Sequence, residues 1–217
     1  MAIVTPKNLL IVFVKNIILG KVKTRLAKTI GDEGAFQIYS ELVDLTEKET
    51  QKVHADKHIY FSDVIIDSKW KNEAKFVQEG TDLGERMKNA FLQGFHQGYQ
   101  NIIVIGSDLP EISCEIIQKG FQQLQHHEVV LGPADDGGYY LLGMSNIIPS
   151  IFENKPWSQP ELLNLTLQEL TKQQKSVALL EMLNDIDTFE DLVHSNFYKT
   201  NQRIQEIVEH RNLSINK

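Results

Sequence analysis

The stretch spanning residues 101–143 constrains this chain more than any other. Four consecutive β-formers, Ile102, Ile103, Val104 and Ile105, make the run expected of a strand buried on both faces of a parallel sheet. The run stops at Gly106-Ser107-Asp108-Leu109-Pro110, where a glycine lets another group approach the backbone and a carboxylate follows. A second apolar run, Val129-Val130-Leu131, ends in the same manner, in Gly132-Pro133 and then Asp135-Asp136-Gly137-Gly138. Open α/β sheets bind ligands at the carboxyl ends of their strands. Two adjacent strands are therefore expected to deliver carboxylates to one edge, and that edge is the expected site of the chemistry.

The rest of the chain supplies the other elements of one α/β domain over residues 1–217. Residues 8–15 predict the first strand, 58–63 the second and 75–80 the third, with a short helix over 67–72. Residues 129–132 make the fifth strand. Residues 138–143 follow too closely for a helical crossover, so they read as an antiparallel strand or turn-back beside the site. A last strand falls at 177–180. A helix over 31–52 carries Ala35, Ile38, Leu42 and Leu45 at helical spacing. Further helices are expected from Thr81 or Asp82 through 98, over 113–125, over 160–173 with Leu163, Leu167 and Leu170 inward, and over 196–210. Residues 195–217 thus read as a C-terminal helix with a frayed tail.

Charge narrows the function. The formal net charge is −7, so no basic field favours DNA or RNA. Yet Lys15, Lys21, Lys23 and Arg25 cluster around the loop after the first strand with no acid between them. Such a loop, ending in Lys-x-Arg, suits a di- or triphosphate, although a solvated basic turn has the same composition. One cysteine, Cys114, allows no disulfide within the chain and fits a reducing cytoplasm. The apolar run 9–14 is too short to span a bilayer and reads as a core strand. His126 and His127 are adjacent and so point apart, which favours a solvated turn over a metal site.

Two helix starts carry capping patterns: Thr81 or Asp82 with Glu85, and Asp187 or Thr188 with Glu190 or Asp191. Asp108 and the Asp185/Asp187 pair both follow apolar strands. Mg²⁺ or Mn²⁺ on a diphosphate needs only one or two carboxylates, because phosphate oxygens and water fill the remaining positions. A cation bridged by Asp108 and Asp187, opposite Lys23 and Arg25, would neutralise a departing pyrophosphate or nucleoside diphosphate.

Five motifs, in order, resemble one known family: Val22-Lys23-Thr24-Arg25-Leu26, Asp82-Leu83-Gly84-Glu85-Arg86-Met87, Gly106-Ser107-Asp108-Leu109-Pro110, Pro133-Ala134-Asp135-Asp136-Gly137-Gly138-Tyr139 and Asp185-Ile186-Asp187-Thr188-Phe189-Glu190-Asp191-Leu192. The family is the glycosyltransferase-A-like group of the nucleotide-diphospho-sugar transferase superfamily known as radical-SAM/selenodomain-associated transferases. Some of its members are called arsenosugar-biosynthesis glycosyltransferases. More distantly the chain is similar to 2-phospho-L-lactate guanylyltransferase and the molybdenum-cofactor nucleotidyltransferases. The resemblance implies a three-layer α/β/α sandwich on a mixed, mostly parallel sheet of about seven strands. It implies Asp108 and Asp187 as ligands of Mg²⁺ or Mn²⁺, Lys23 and Arg25 as phosphate contacts, and Gly80, Asp82, Gly84 and Arg86 near the base or ribose; Lys15 joins the phosphate contacts by its place in the same cation cluster. Asp135 or Asp136 would then orient or deprotonate the acceptor. One departure stands out: Asn16-Ile17-Ile18-Leu19-Gly20 replaces the prolines and Pro-Gly usual before the Lys-Thr-Arg. Three functions stay open: glycosyl transfer from a nucleotide sugar to a small acceptor, nucleotidyl transfer to a phosphorylated acceptor, and nucleotide binding without catalysis.

Overall fold

The computed structural model describes residues 7–215. Seven strands, β1 (Asn8–Val14), β2 (Asp56–Phe61), β3 (Ala74–Val77), β4 (Asn101–Ile105), β5 (Val129–Pro133), β6 (Tyr139–Met144) and β7 (Val177–Leu179), form one sheet in the order β3-β2-β1-β4-β6-β5-β7. β1 pairs in parallel with β2 and β4, β2 with β3 and β5 with β7, while β6 runs antiparallel to both β4 and β5. The carboxylate-bearing β4 and β5 are therefore not neighbours. After the Gly137-Gly138 turn the chain doubles back and inserts β6 between them, so the two aspartate loops are separated by a strand width rather than side by side.

Strand alternation divides the core between two helical layers. Leu10, Val12 and Val14 of β1 face one side, with Val22, Tyr39, Val43, Ile117 and Phe121. Leu9, Ile11 and Phe13 face the other, with Met87, Phe91, Phe152 and Leu170. Successive strand residues point to opposite faces, so a wholly apolar strand needs helices on both sides. The helices are α1 (Thr24–Gln51), α2 (Leu83–His96), α3 (Cys114–Gln123), α4 (Leu162–Lys172), α5 (Phe189–His194), α6 (Asn196–Lys199) and α7 (Gln202–Ile215). α1 bends at Gly31 (φ 72°, ψ 174°), which splits it into a short basic turn and the long helix expected from 31 onward. Ile186, Leu192, Ile204 and Val208 pack on that long helix.

Two helix expectations are corrected here. Residues 67–72 form turns, not a helix. Trp70 adopts a left-handed φ of 41°, is fully buried, and donates through its backbone N–H to Glu47 and through its indole to Thr50. Two anchoring bonds from one ring-bearing residue override the weak local helical tendency. The expected helix over 196–210 breaks at Thr200 and Asn201 into α6 and α7. In α4 Leu163 and Leu167 pack partly buried on the same cluster as the fully buried Leu170, as expected, with Leu162 and Thr166 buried beside them. The tail at 216–217 and residues 1–6, included in the single-domain expectation, lie outside the described residues. No helix among the described residues is long and apolar enough to cross a membrane.

Candidate active site

The loops after β1 and β4 meet where successive connections leave the sheet in opposite directions, the crevice in which doubly wound sheets bind ligands. Tyr39, reaching in from α1, ties them together. The Lys15 N–H donates to its hydroxyl at 3.0 Å, and that hydroxyl lies 2.9 Å from Ser107 Oγ. Gly106 is needed beside it, because a Cβ there would stand 2.9 Å from Asp108 Oδ1.

Lys23 is the centre of the polar cluster. It sits at the start of α1 in a left-handed conformation (φ 46°, ψ 49°), unusual for a residue with a side chain. Its ammonium donates to Asp108 Oδ2 at 2.9 Å and to Asp187 Oδ1 at 3.1 Å, and its side chain is only 5% exposed. Arg25, 70% exposed, reaches Asp187 Oδ2 at 3.4 Å. Burial disfavours the charged Lys23, but Asp108 and Asp187 outweigh it and hold the ammonium protonated. Burial likewise opposes ionisation of Asp108, and the Lys23 charge and hydrogen bond overcome it, keeping that carboxyl below its usual range. Asp185 forms no ion pair among the described residues, and the more distant Lys23 charge only partly offsets its burial. Desolvation, followed by repulsion from Asp108, pushes it up to about 7.

Asp108 also lines a cavity of about 220 Å³. Asp136 and Asp185 line it together with Phe13, Leu83, Tyr139 and Trp157. Asp136 is fixed by accepting the Gly138 N–H at 2.8 Å, and the loop that carries it is stitched to the segment after β7 by Asp135 N–H to Leu183 O (3.2 Å) and Leu183 N–H to Pro133 O (3.1 Å). That stitching brings Asp136 and Asp185, from distant parts of the chain, to one wall.

The site residues expected from sequence separate into two groups. Lys23, Arg25, Asp108 and Asp187 converge, and Asp136 lines the adjoining cavity. The Lys15 side chain is exposed and its backbone is what anchors the loop. Asp135 is exposed. Within residues 80–86, Asp82 caps α2, Arg86 Nε donates to the Gly80 carbonyl at 3.1 Å, and Gly84 makes room for Trp157, whose Nε1 would lie 2.4 Å from a Cβ there. The segment contributes Leu83 and Met87 to the cavity rather than polar contacts. The sequence does not point to Tyr39 or Trp157, and of the Asp185/Asp187 pair it gives a ligand role to Asp187 alone. Nothing local marks Trp157, which reaches the cavity through a loop.

The donor set around Lys23 is oxygen only, which suits Mg²⁺ or Mn²⁺ rather than zinc. Among the described residues no three His, Cys, Asp or Glu side chains are arranged to hold a metal by themselves. The Asp108–Asp187 pair, already gathered about one cation, fits a metal that completes its shell with phosphate oxygens and water.

Residues 48–159 match the model of a family described as "Uncharacterized protein conserved in bacteria (DUF2064)". No curated protein matches the chain. Among solved structures, a protein from Desulfovibrio desulfuricans G20, provisionally assigned as a nucleotide-diphospho-sugar transferase, is 30% identical, with a TM-score of 0.83 over 95% of this chain and 99% of that one. The 4-diphosphocytidyl-2C-methyl-D-erythritol synthase of Anaerococcus prevotii DSM 20548 shares the fold at 12% identity (TM-score 0.59, 90% and 99% covered). So does the inositol-1-phosphate CTP transferase of T. maritima at 14% identity (TM-score 0.58, 94% and 96% covered). The extent of the family match and of the Desulfovibrio likeness together establish that this chain belongs to the DUF2064 family, built on the nucleotide-diphospho-sugar transferase fold.

Proposed function

We propose that the chain transfers a group from a nucleotide-activated donor, and that glycosyl transfer from a nucleotide-diphospho-sugar to a small acceptor is the reading the site supports best. The observation that carries it is the contact of Lys23 with both Asp108 and Asp187 beside a ring-sized cavity. The donor's diphosphate lies against Lys23 and Arg25, whose charges offset the negative charge that grows as the nucleoside diphosphate leaves. Asp108 and Asp187 would hold Mg²⁺ or Mn²⁺, which supplies further neutralisation of the leaving group. Lys23 then exchanges a carboxylate partner for a phosphate oxygen. Asp136 faces the cavity and accepts the proton of the acceptor hydroxyl, with Asp185, protonated and ionised in comparable amounts near neutrality, as its alternative. The exposed Asp135 orients the loop that carries Asp136. Of residues 80–86, Leu83 lines the cavity, and the base or ribose of the donor would pass beside it. The similarity to the Desulfovibrio protein supports the same donor class, and the five sequence motifs extend the reading to the radical-SAM/selenodomain-associated branch of the superfamily.

Nucleotidyl transfer from a nucleoside triphosphate is the second reading, favoured by the Lys23 and Arg25 cations beside β1. A thermal-shift panel separates the two. Nucleotide sugars and nucleoside triphosphates are compared with Mg²⁺, Mn²⁺ or EDTA. A ligand at about a hundredfold its dissociation constant adds roughly 2.7 kcal/mol. In a domain of this size that is a shift of several degrees, at about 2–4 °C per kcal/mol. The largest metal-dependent shift with a nucleotide sugar is expected. A larger one with a free triphosphate would replace glycosyl by nucleotidyl transfer, and a shift indifferent to metal would leave nucleotide binding without this chemistry.

A further inference from the structure

We propose that the cavity takes an acceptor group of ring size that offers hydroxyl or amino hydrogens and carries no anion, and that it rejects phosphorylated or carboxylated acceptors. The inference rests on the donor reading above and names the acceptor class for the same site. Asp108 is shared between the two regions: its carboxylate bonds the Lys23 ammonium at 2.9 Å and also lines the cavity. Asp136 and Asp185 line that same cavity side, and among the described residues none of the lining side chains is basic.

The remaining wall is apolar, with Phe13, Tyr139 and Trp157 presenting rings. A phosphate or carboxylate placed there would lose its water against Asp136 and Asp185, which form no ion pair among the described residues, a repulsion that selects against it. Hydroxyl or ammonium hydrogens would instead find acceptors in those carboxylates while carbon faces rest on the rings. Lys23 and Arg25, the cations that the donor's phosphates need, are not among the residues that line the cavity, so the two substrates meet surfaces of different character. At about 220 Å³ the space is below that of a drug-sized ligand and suits one ring rather than a nucleotide.

Saturation-transfer NMR on the full chain tests this with three probes that share a ring: inositol, the diamine 2-deoxystreptamine, and inositol 1-phosphate. Inositol or 2-deoxystreptamine is expected to bind at least about tenfold more tightly than inositol 1-phosphate, roughly 1.4 kcal/mol. Preference for inositol assigns a hydroxylated acceptor and preference for the diamine an amine. Asp136→Lys, on an exposed turn, should raise affinity for the phosphate probe and reverse the order, and Asp136→Asn should bring the affinities toward parity. Equal or tighter binding of inositol 1-phosphate by the native protein would overturn the proposal. So would no binding of any probe while nucleotide and Mn²⁺ still raise the melting temperature. Probe selectivity without any nucleotide-dependent shift would remove the donor reading and leave the acceptor preference standing.

Discussion

Two helices start at the ligand edge with almost the same local sequence, and only one of them frees a carboxylate. At the start of α2 the cap is Asp82 itself: its Oδ1 accepts the Glu85 N–H at 2.8 Å, and Glu85 returns to the Thr81 N–H and hydroxyl, both at 2.7 Å. At the start of α5 the cap falls one residue later. Thr188 accepts the Asp191 N–H at 3.2 Å, and Asp191 accepts from the Thr188 N–H (2.7 Å) and hydroxyl (2.8 Å) and from the Asp187 N–H (3.1 Å). Because the threonine does the capping, the Asp187 carboxylate is left over and meets Lys23 and Arg25. The register of a cap by one residue thus decides whether an aspartate is structural or available to a ligand.

The sharpest break of this comparison is to exchange the two aspartates' fates by mutation. Asp187→Ala should lower metal-dependent donor affinity by about a hundredfold, roughly 2.8 kcal/mol, in the thermal-shift assay. The ligand-free melting temperature should fall only by what the nearly buried Lys23 loses with one of its two carboxylates, since Asp108 still holds its ammonium and Thr188 and Asp191 keep the cap. Asp82→Ala should do the reverse. Loss of a cap costs about 1 kcal/mol, which is about 2–4 °C here, with donor affinity unchanged. If Asp82→Ala weakened the donor as much as Asp187→Ala, Asp82 would be a ligand contact and the distinction would fall. Thr188→Ala should combine a cap-sized loss of stability with a smaller loss of donor affinity, because Asp187 would lose its fixed backbone.

A smaller effect is expected from pH. Burial opposes ionisation of Asp191, but the hydrogen bonds from Thr188 outweigh it and hold the carboxyl below its usual range. Its folded value is therefore lower than its unfolded value of about 3.9. Such a group contributes stability that is complete above the unfolded value and is lost as pH falls through the folded one. Melting temperatures between about pH 3 and 7 should fall on acidification in the native protein. The Asp191→Asn variant should start lower at neutral pH and fall less. An equal fall would remove this carboxylate from the acid response.

The convergence at the site was legible where it depended on strand ends. Apolar runs closing in glycine and aspartate placed Asp108 correctly, and an isolated knot of cations in an acidic chain marked Lys23 and Arg25. What sequence did not reveal depends on pairing and on packing between distant residues. Period-two alternation in β6 does not say which strands it will lie between, and from sequence alone β4 and β5 read as neighbours. The motif at 80–86 carried glycines and charges of the kind that hold ligands, yet Gly84 is there for the ring of Trp157. Capping patterns named the right residues at both helix starts but left open which of Asp187 and Thr188 would cap, and the availability of Asp187 follows from that choice.

His126 and His127 provide the comparison with no expected effect. They follow α3 and precede β5, at the amino end of a strand whose carboxyl end carries Asp135 and Asp136. His127 Nδ1 lies 3.2 Å from the Gln123 carbonyl, a local contact of a helix end. Replacing both by alanine should change stability by no more than about 0.5 kcal/mol, as for surface positions generally. Donor-dependent shifts should remain as in the native protein, because the sheet's length separates these rings from Lys23 and Asp108. A lost metal-dependent shift in that double variant would mean that the cation binds at the amino edge, and the capped-aspartate argument would then describe an ion pair with no ligand.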